Sequence, residues 1–414
     1  MPDIRSWFQS ELGYVVLLFI LFVLPRLLQR WRLPTAVTAF GMGAVASLGF
    51  HLFGGDPTIR LLALFGIVAL FLFAGLEVDI QELRQESRIL GQHLALRVLL
   101  LIGVTWVVAR TLSLKVVPAA LVALALVTPS TGFILDSIGK FGLRREERFW
   151  VKTKAIATEL LALAVLFLTL HTASPTQLIV STAALVGLIA VLPGIFRFFA
   201  QRVAPLAPKS EFAFLLMMAL LCAYATRQLG VHYLVGAFIV GVAARRFREQ
   251  LPAIASEQML HAVEVFASFF VPFYFFSAGL GLRRADFSLP AGALGIIFFA
   301  VMIPLLVATV VLQRRIALGE TFSRSLRVAV PMLPTLVFTL VIAEILRNEF
   351  NIEPMIFGGL IVYTMLNTIL PGALLDAPVP EFDTPELPST EDTAEMAISS
   401  ETPVTPASAG GPGS

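Results

Sequence analysis

The chain has 414 residues, of which 57% are hydrophobic and 14% are charged, and its formal net charge is +2. Soluble globular domains carry about 25% charged residues, so this composition excludes a soluble domain and indicates an integral membrane protein. The single cysteine, Cys222, excludes a disulfide framework and a cysteine-based metal motif.

Charged residues and proline or glycine breaks divide the sequence into apolar runs of about 20 residues, the length that a transmembrane helix needs. The pattern predicts an all-α polytopic membrane protein with about thirteen spans. The predicted spans are residues 12–30, 33–53, 58–78, 89–111, 117–138, 150–170, 176–200, 211–228, 231–246, 259–282, 289–313, 324–347 and 354–375.

Basic residues are distributed unequally between the two sides of this topology. Of the 30 Lys and Arg residues, 8 fall on the side of the N-terminus and 22 on the other side. Because cytoplasmic loops carry the excess of basic residues, we expect the N-terminus outside and the C-terminus in the cytoplasm. The predicted location is the plasma (inner) membrane.

The composition changes abruptly after residue 375. Residues 376–414 are rich in Pro, Ser, Thr and Ala, and they contain eight acidic residues but no Lys or Arg. Such a segment buries too little apolar area to fold, so we predict a disordered acidic cytoplasmic tail. The transmembrane exchanger domain predicted below is therefore residues 1–375.

Two predicted spans are interrupted in similar ways. Span five contains VTPSTG at residues 127–132, and span twelve contains PMLPT at residues 331–335. Proline removes a backbone donor, so the carbonyl groups freed at each break need partners in a cavity or among side chains. Paired interruptions in corresponding places indicate a transporter binding site, although proline kinks are also common in ordinary membrane helices.

Span six carries one carboxylate, Glu159, near its middle. Glu159 follows Trp150 by nine residues, or about 13 Å of helix, which is close to half of a hydrocarbon core about 30 Å thick. An ionisable group at that depth usually faces a protein interior and marks an ion or proton path. A carboxylate there can hold either a proton or a cation. The alternative is a structural carboxylate bonded to Ser or Thr of a neighbouring helix.

Glycine motifs occur at the end of span three, in span nine and at the end of span ten. They are Gly75-Leu76-Glu77 followed by Asp79, then Gly236-Ala237-Phe238 followed by Gly241, and finally FFVPFYFFSAGLGL. In their order and spacing, over roughly residues 10–375, these segments resemble the monovalent cation:proton antiporter-2 family, the Kef-type sodium/hydrogen exchangers.

The resemblance implies a sodium/proton antiporter fold, with two inverted six-helix repeats and crossed broken helices. It also implies a homodimer and two bodies. The panel would contain the spans in 12–78 and 211–282, and the core would contain the spans in 89–170 and 289–375. Some members also carry a C-terminal nucleotide-binding domain, which we do not expect in the residues after Leu375.

The resemblance also implies where the transported ion binds. The two breaks would cross near mid-membrane beside a residue pair in span six, and Thr158 and Glu159 stand at the two positions of that pair. Thr128, Ser130 and Thr131 fall in the broken-helix motif of span five. Na⁺ and K⁺ prefer oxygen ligands, which these hydroxyl groups and the carbonyl groups of the break can supply.

The sequence departs from the family in its basic residues. Members usually carry a Lys in span eleven and often Arg-Gly-Glu-Phe in span twelve, whereas residues 289–311 have no charge here and Thr335 replaces the Arg. We therefore expect no basic partner for Glu159, which favours electroneutral 1:1 exchange. Lys154, one turn before Thr158, either replaces that partner or, as the favoured interpretation, extends to the cytoplasmic interface.

Three further residues are candidates for a second shell or for the ion pathway. Asp136, at the inner end of span five, lines a cytoplasmic funnel or, as the favoured alternative, faces the loop. Glu344, near the outer end of span twelve, attracts cations or is simply solvated. Thr335 lies in the second break.

These observations predict a secondary active transporter that exchanges Na⁺ or K⁺ for H⁺ by alternating access in the lipid bilayer. The alternatives are a non-transporting membrane sensor or scaffold on the antiporter fold, and a carrier of another ion or small organic solute. We expect no cofactor, no nucleic-acid partner and no enzymatic activity, because the sequence has no nucleophile elbow, phosphate-binding loop or metal-spaced His/Cys set.

Overall fold

The computed structural model describes residues 11–171, 175–207, 210–229, 232–246 and 257–375, and these residues form helices and their connections without strands. The side chain of Asp136 and the predicted tail at 376–414 lie outside what is described. The helices are α1 (Glu11–Leu28), α2 (Thr35–Leu48), α3 (Pro57–Leu76), α4 (Ile80–Gln85), α5 (Ser87–Thr111), α6 (Val116–Val127), α7 (Thr131–Ser137), α8 (Arg145–His171), α9 (Pro175–Phe198), α10 (Glu211–Gln228), α11 (Tyr233–Arg246), α12 (Glu257–Leu280), α13 (Leu289–Leu318), α14 (Phe322–Ala329), α15 (Leu336–Phe350) and α16 (Pro354–Leu374).

The helices confirm the predicted all-α polytopic architecture. Within the described ranges, nine helical segments are long and apolar enough to cross a membrane, or ten if the bent pair 322–332 and 336–350 counts as one span. The shorter or less apolar helices α2, α10 and α11 occupy the positions of predicted spans two, eight and nine. Every predicted span therefore contains a helix or a broken helix pair.

Several predicted boundaries differ from the structure by a few residues, among them the ends of spans two and eleven. Predicted span two extended to residue 53, but α2 ends at Leu48, and His51 and Phe53 adopt positive φ angles of 54° and 56°. Predicted span eleven ended at residue 313, but α13 continues to Leu318 and stops at Gly319, where φ is 63°. The charge of Arg314 does not end the helix because Glu320 accepts two hydrogen bonds from its guanidinium group, at 2.7 and 2.5 Å.

The helices pack in two groups. The first group, called the α3–α12 group, contains the mutually contacting helices α1, α2, α3, α10, α11 and α12. The second, called the α6–α15 group, contains helices α5–α8 and α13–α16. Fewer contacts join the two groups, among them α3 with α7 and α2 with α16.

Glycines bring backbones together inside the α3–α12 group. A Cβ atom on Gly75 of α3 would lie 2.3 Å from the carbonyl oxygen of Phe238 and 3.0 Å from the Cα of Gly241 in α11. A Cβ atom on Gly43 of α2 would lie 2.0 Å from a backbone oxygen of α12, beside Gly279. Residues larger than glycine would force these helices apart, so the motif glycines act in packing.

Glycines also bring backbones together inside the α6–α15 group. A Cβ atom on Gly295 of α13 would lie 2.8 Å from the carbonyl oxygen of Gly359 in α16, and one on Gly358 would lie 1.9 Å from the carbonyl oxygen of Asp286, in the turn before α13. At the boundary between the groups, the atoms nearest to Gly132 of α7 belong to the Leu70 side chain. Each group is thus joined by close backbone contacts, while this boundary contact is made by a side chain.

The two breaks predicted from the sequence are present, and they meet. Helix α6 ends at Val127 and α7 begins at Thr131, while the helical pair 322–332 and 336–350 bends by 44°. The backbone N–H of Ser130 donates a hydrogen bond of 2.7 Å to the carbonyl oxygen of Pro334. The crossed broken helices are therefore confirmed.

Candidate functional site

The carbonyl groups at the broken end of α6 receive side-chain donors from three other helices. The bonds run from Thr339 Oγ1 to Ala125 O (2.8 Å), from Tyr363 Oη to Leu126 O (2.7 Å) and from Arg97 Nη1 to Val127 O (3.4 Å). Unpaired carbonyl groups buried in this way would each cost about 1–3 kcal/mol. Side chains of α15, α16 and α5 therefore stabilise the interruption.

The second break has its own polar cluster, centred on the predicted residue Thr335. The Thr335 hydroxyl lies 3.1 Å from the hydroxyl of Thr364 and 2.8 Å from that of Thr339, and it accepts a hydrogen bond from Asn367 Nδ2 (3.0 Å). All four residues are buried. Thr335 is thus a structural centre of the break.

Glu159 lies on α8, is 2% exposed and faces the hydroxyl and backbone N–H of Thr131 at the start of α7. Glu159 Oε2, Ser130 Oγ and Thr131 Oγ1 have no partner with full hydrogen-bond geometry among the residues that the structure describes. Buried polar oxygens are usually paired, and here three without full hydrogen-bond geometry lie at one helix break. Such oxygens have lone pairs available for a proton or a monovalent cation.

Thr158 faces a different helix. Its hydroxyl donates to the carbonyl oxygen of Lys154 (2.8 Å) and lies 3.0 Å from Nε2 of His93 on α5. Of the two predicted residues in span six, Glu159 is brought to Thr131, and Thr158 is held against α5. Thr128 is buried at the end of α6.

The favoured interpretation of Lys154 as an interfacial residue is wrong. Lys154 is 0% exposed, and its Nζ donates a hydrogen bond of 2.6 Å to Oε1 of Gln313. Its Nζ also lies 5.8 Å from the centre of the Trp150 ring. Lys154 stays inside because Gln313, near the end of α13, is a buried acceptor for its ammonium group.

A basic side chain that was not predicted lies at the first break. It contacts a carbonyl group of α6, so the expectation that Glu159 has no basic partner stays a prediction. Arg97 of α5 is 3% exposed and contacts the last carbonyl group of α6. The topology count had assigned every Lys and Arg to a loop, so Arg97 and the buried His93 were missed. Both stand inside predicted span four, where an ionisable residue is itself a signal of a functional site.

Glu344 is the exposed member of an otherwise buried stretch of α15, residues 336–346. The charged groups near its carboxylate are Arg347 on the same helix and Arg60 on α3. Glu344 is therefore an exposed carboxylate near α3, at the end of the bundle predicted to be outside. This position suits an entrance, and it is far along α15 from the break.

A protein-family model described as "Sodium/hydrogen exchanger, transmembrane" matches residues 16–379. One curated relative is a probable Na⁺/H⁺ antiporter 3 from Methanocaldococcus jannaschii, 25% identical over 292 residues that cover 64% of this chain and 70% of that protein. Another is the Na⁺/H⁺ antiporter NhaS5 from Synechocystis, 26% identical over 376 residues that cover 87% of this chain and 52% of that protein. The chain thus matches only about half the length of the Synechocystis relative.

The fold is also similar to solved structures. The sodium proton antiporter MjNhaP1 from Methanocaldococcus jannaschii at pH 8 superposes with a TM-score of 0.65 at 14% identity, over 88% of this chain and 95% of that one. An electron-microscopy structure of the same antiporter gives a TM-score of 0.61 at 15% identity, over 96% of this chain and 100% of that one.

Proposed function

Because this chain belongs to the sodium/hydrogen exchanger family, a family of secondary active cation:proton exchangers, we propose that Glu159 is the carboxylate for which the cation and the proton compete. The unpaired oxygens of Glu159, Ser130 and Thr131 at the broken end of span five carry this proposal. A cation and a proton cannot occupy the same carboxylate together, so release of one permits binding of the other.

The proposed cation is Na⁺, because both curated relatives are named as Na⁺/H⁺ antiporters. Potassium stays a prediction from the resemblance of the three glycine motifs to the antiporter-2 family. Exchange of one cation for one proton is proposed from the single carboxylate at the break.

Alternating access would occur by movement of the α6–α15 group, the proposed core, against the α3–α12 group, the proposed panel. Close glycine contacts inside each group support this division, since they leave little freedom within a group. Glu159 and both breaks belong to the α6–α15 group and would move with it. The proposed homodimer forms through the α3–α12 group, with the N-terminus outside and the C-terminus in the cytoplasm.

The alternative of a non-transporting sensor or scaffold rested on the missing basic residues of spans eleven and twelve. Transport is favoured instead by the curated relatives, both named as Na⁺/H⁺ antiporters.

The test is exchange by purified protein in liposomes that contain a pH-sensitive dye. Glu159→Gln should abolish Na⁺-driven alkalinisation of an acidified lumen, because the amide cannot bind and release a proton at this pH. The matched control is Glu349→Gln, which neutralises an exposed carboxylate at the far end of α15 and should leave exchange unchanged. Undiminished exchange by the Glu159 variant would refute the assignment.

A further inference from the structure

His93 has no role in the site described so far, although its side chain is among the most buried polar groups of the bundle. It lies on α5, is 1% exposed, and places Nε2 at 3.0 Å from the hydroxyl of Thr158. Thr158 directly precedes Glu159 on α8. His93 therefore contacts the residue next to the proposed exchange carboxylate.

The direction of this hydrogen bond follows from the single proton of a hydroxyl group. Thr158 Oγ1 donates that proton to the carbonyl oxygen of Lys154, at 2.8 Å. The oxygen can then only accept from His93, so Nε2 of His93 carries a hydrogen and donates it. The structure assigns the donor role to the ring.

Gln313 of α13 belongs to the same polar cluster. Its side chain accepts from Lys154 Nζ (2.6 Å) and donates to the carbonyl oxygen of Ile89 on α5 (3.0 Å). The charged groups that face the ring are the cations Arg97 and Lys154. Thus α5, α8 and α13 are joined in one hydrogen-bonded chain that ends at Thr158.

These hydrogen bonds set the rotation of α8 about its own axis. Successive residues of a helix point about 100° apart, so holding the Thr158 hydroxyl against α5 directs Glu159 toward a different neighbour, α7. Ligands of an ion site must be held to within about 0.5 Å, and a small rotation of α8 would displace the carboxylate by more than that.

We propose that His93 is a positioning residue for cation binding, which acts through the Thr158 hydroxyl to hold Glu159 toward Thr131. This inference rests on the proposed role of Glu159. It predicts that losing the ring donor weakens cation binding and leaves the maximal exchange rate nearly intact, because the carboxylate itself is unchanged.

The test compares four variants in liposomes by measuring the KM for Na⁺ and the maximal rate. His93→Leu removes the donor and should raise the KM at least tenfold with less than a threefold change in maximal rate. His93→Gln supplies an amide donor near the position of Nε2 and should restore the KM to within threefold of the original. Thr158→Val should match His93→Leu, and the double variant should be no worse than either single variant.

Controls separate this effect from misfolding. His261→Leu changes a histidine on α12 whose side chain is 74% exposed, and it should leave the KM unchanged. Should His93→Leu fail to fold, Thr158→Val against Thr158→Ser asks the same question, with the KM raised only in the valine variant. An unchanged KM in Thr158→Val, or a His93→Gln variant as poor as His93→Leu, would overturn the inference.

Failure of this inference is distinguishable from failure of the proposed function. Glu159→Gln, assayed beside these variants, is inactive if the proposed function holds. An inactive Glu159→Gln with a normal His93→Leu refutes the role of His93 alone, whereas an active Glu159→Gln refutes both.

Discussion

The backbone N–H of Ser130 and the carbonyl oxygen of Pro334 form a hydrogen bond of 2.7 Å, which joins the two broken helices directly. Both breaks are buried, so each member of this bond would otherwise lack a partner. The bond fixes the start of α7, and hence Thr131, relative to α15.

This bond predicts different results for two changes at one position. Ser130→Pro removes the N–H donor and leaves the buried carbonyl of Pro334 unpaired, at a cost of about 1–3 kcal/mol. We expect a lower thermal unfolding temperature in detergent and loss of exchange. Ser130→Ala keeps the N–H and should unfold at nearly the original temperature while the KM for Na⁺ rises. Equal unfolding temperatures for the two variants would contradict the role of this bond.

Competition at one carboxylate predicts the pH dependence of exchange. In the range where Glu159 is mostly protonated, the KM for Na⁺ should rise about tenfold for each unit of acidification, because each proton displaces one cation. The maximal rate at saturating Na⁺ should change much less over that range. Initial rates measured at five or six pH values provide the check, and a KM that does not depend on pH would exclude simple competition.

An ion pair at the boundary predicts a conformational effect. Lys152 on α8 pairs with Glu77 at the end of α3, so the pair joins the two helix groups at the end predicted to be cytoplasmic. Partly exposed pairs contribute about 0–1 kcal/mol, so Glu77→Gln should shift the balance between inward and outward states by up to about fivefold. Labelling of a cysteine introduced near the pair, after replacement of Cys222, measures that shift.

The charge-swapped double variant Glu77→Lys with Lys152→Glu should restore the original balance. Asp79 and Arg245 form a pair 3.5 Å apart within the α3–α12 group, so Asp79→Asn is the matched control and should not shift it. An equal shift from Glu77→Gln and Asp79→Asn would show that the effect does not depend on a pair that joins the two helix groups.

Glycine packing predicts a loss of stability. Gly75→Ala places a Cβ atom 2.3 Å from the Phe238 carbonyl oxygen, so α3 and α11 must separate, at a cost of about 1–3 kcal/mol. Gly103→Ala on α5 meets no atom within 4 Å and should be neutral or stabilising, because alanine favours helix more than glycine does. Thermal unfolding of the two variants in the same detergent compares them directly, and similar melting temperatures would be evidence against tight packing at Gly75.

The sequence was most informative where a residue contradicted its apolar surroundings. Hydropathy located every span, and the prolines near Thr131 and Thr335 located both breaks. Glu159 was proposed in the same way, since a carboxylate inside a predicted span needs a polar neighbour.

The partners of buried groups were much harder to predict. Lys154 has an apolar stem long enough to reach an interface, and only the packing of α13 against α5 and α8 reveals Gln313 as its acceptor. The span containing Gln313 was ended too early because the sequence does not show that Glu320 neutralises Arg314. His93 and Arg97 were visible as polar residues in a span. Their contacts, however, are with residues 65 and 30 positions further along the chain, respectively.

The hydrogen bonds at the end of α6 restrict how this helix can move. The last three carbonyl groups of this helix are bonded to Thr339, Tyr363 and Arg97, which belong to α15, α16 and α5. The end of α6 therefore cannot be displaced alone. An ion that displaces this point by a fraction of an ångström must therefore also displace α15, α16 and α5, or break the hydrogen bonds to them.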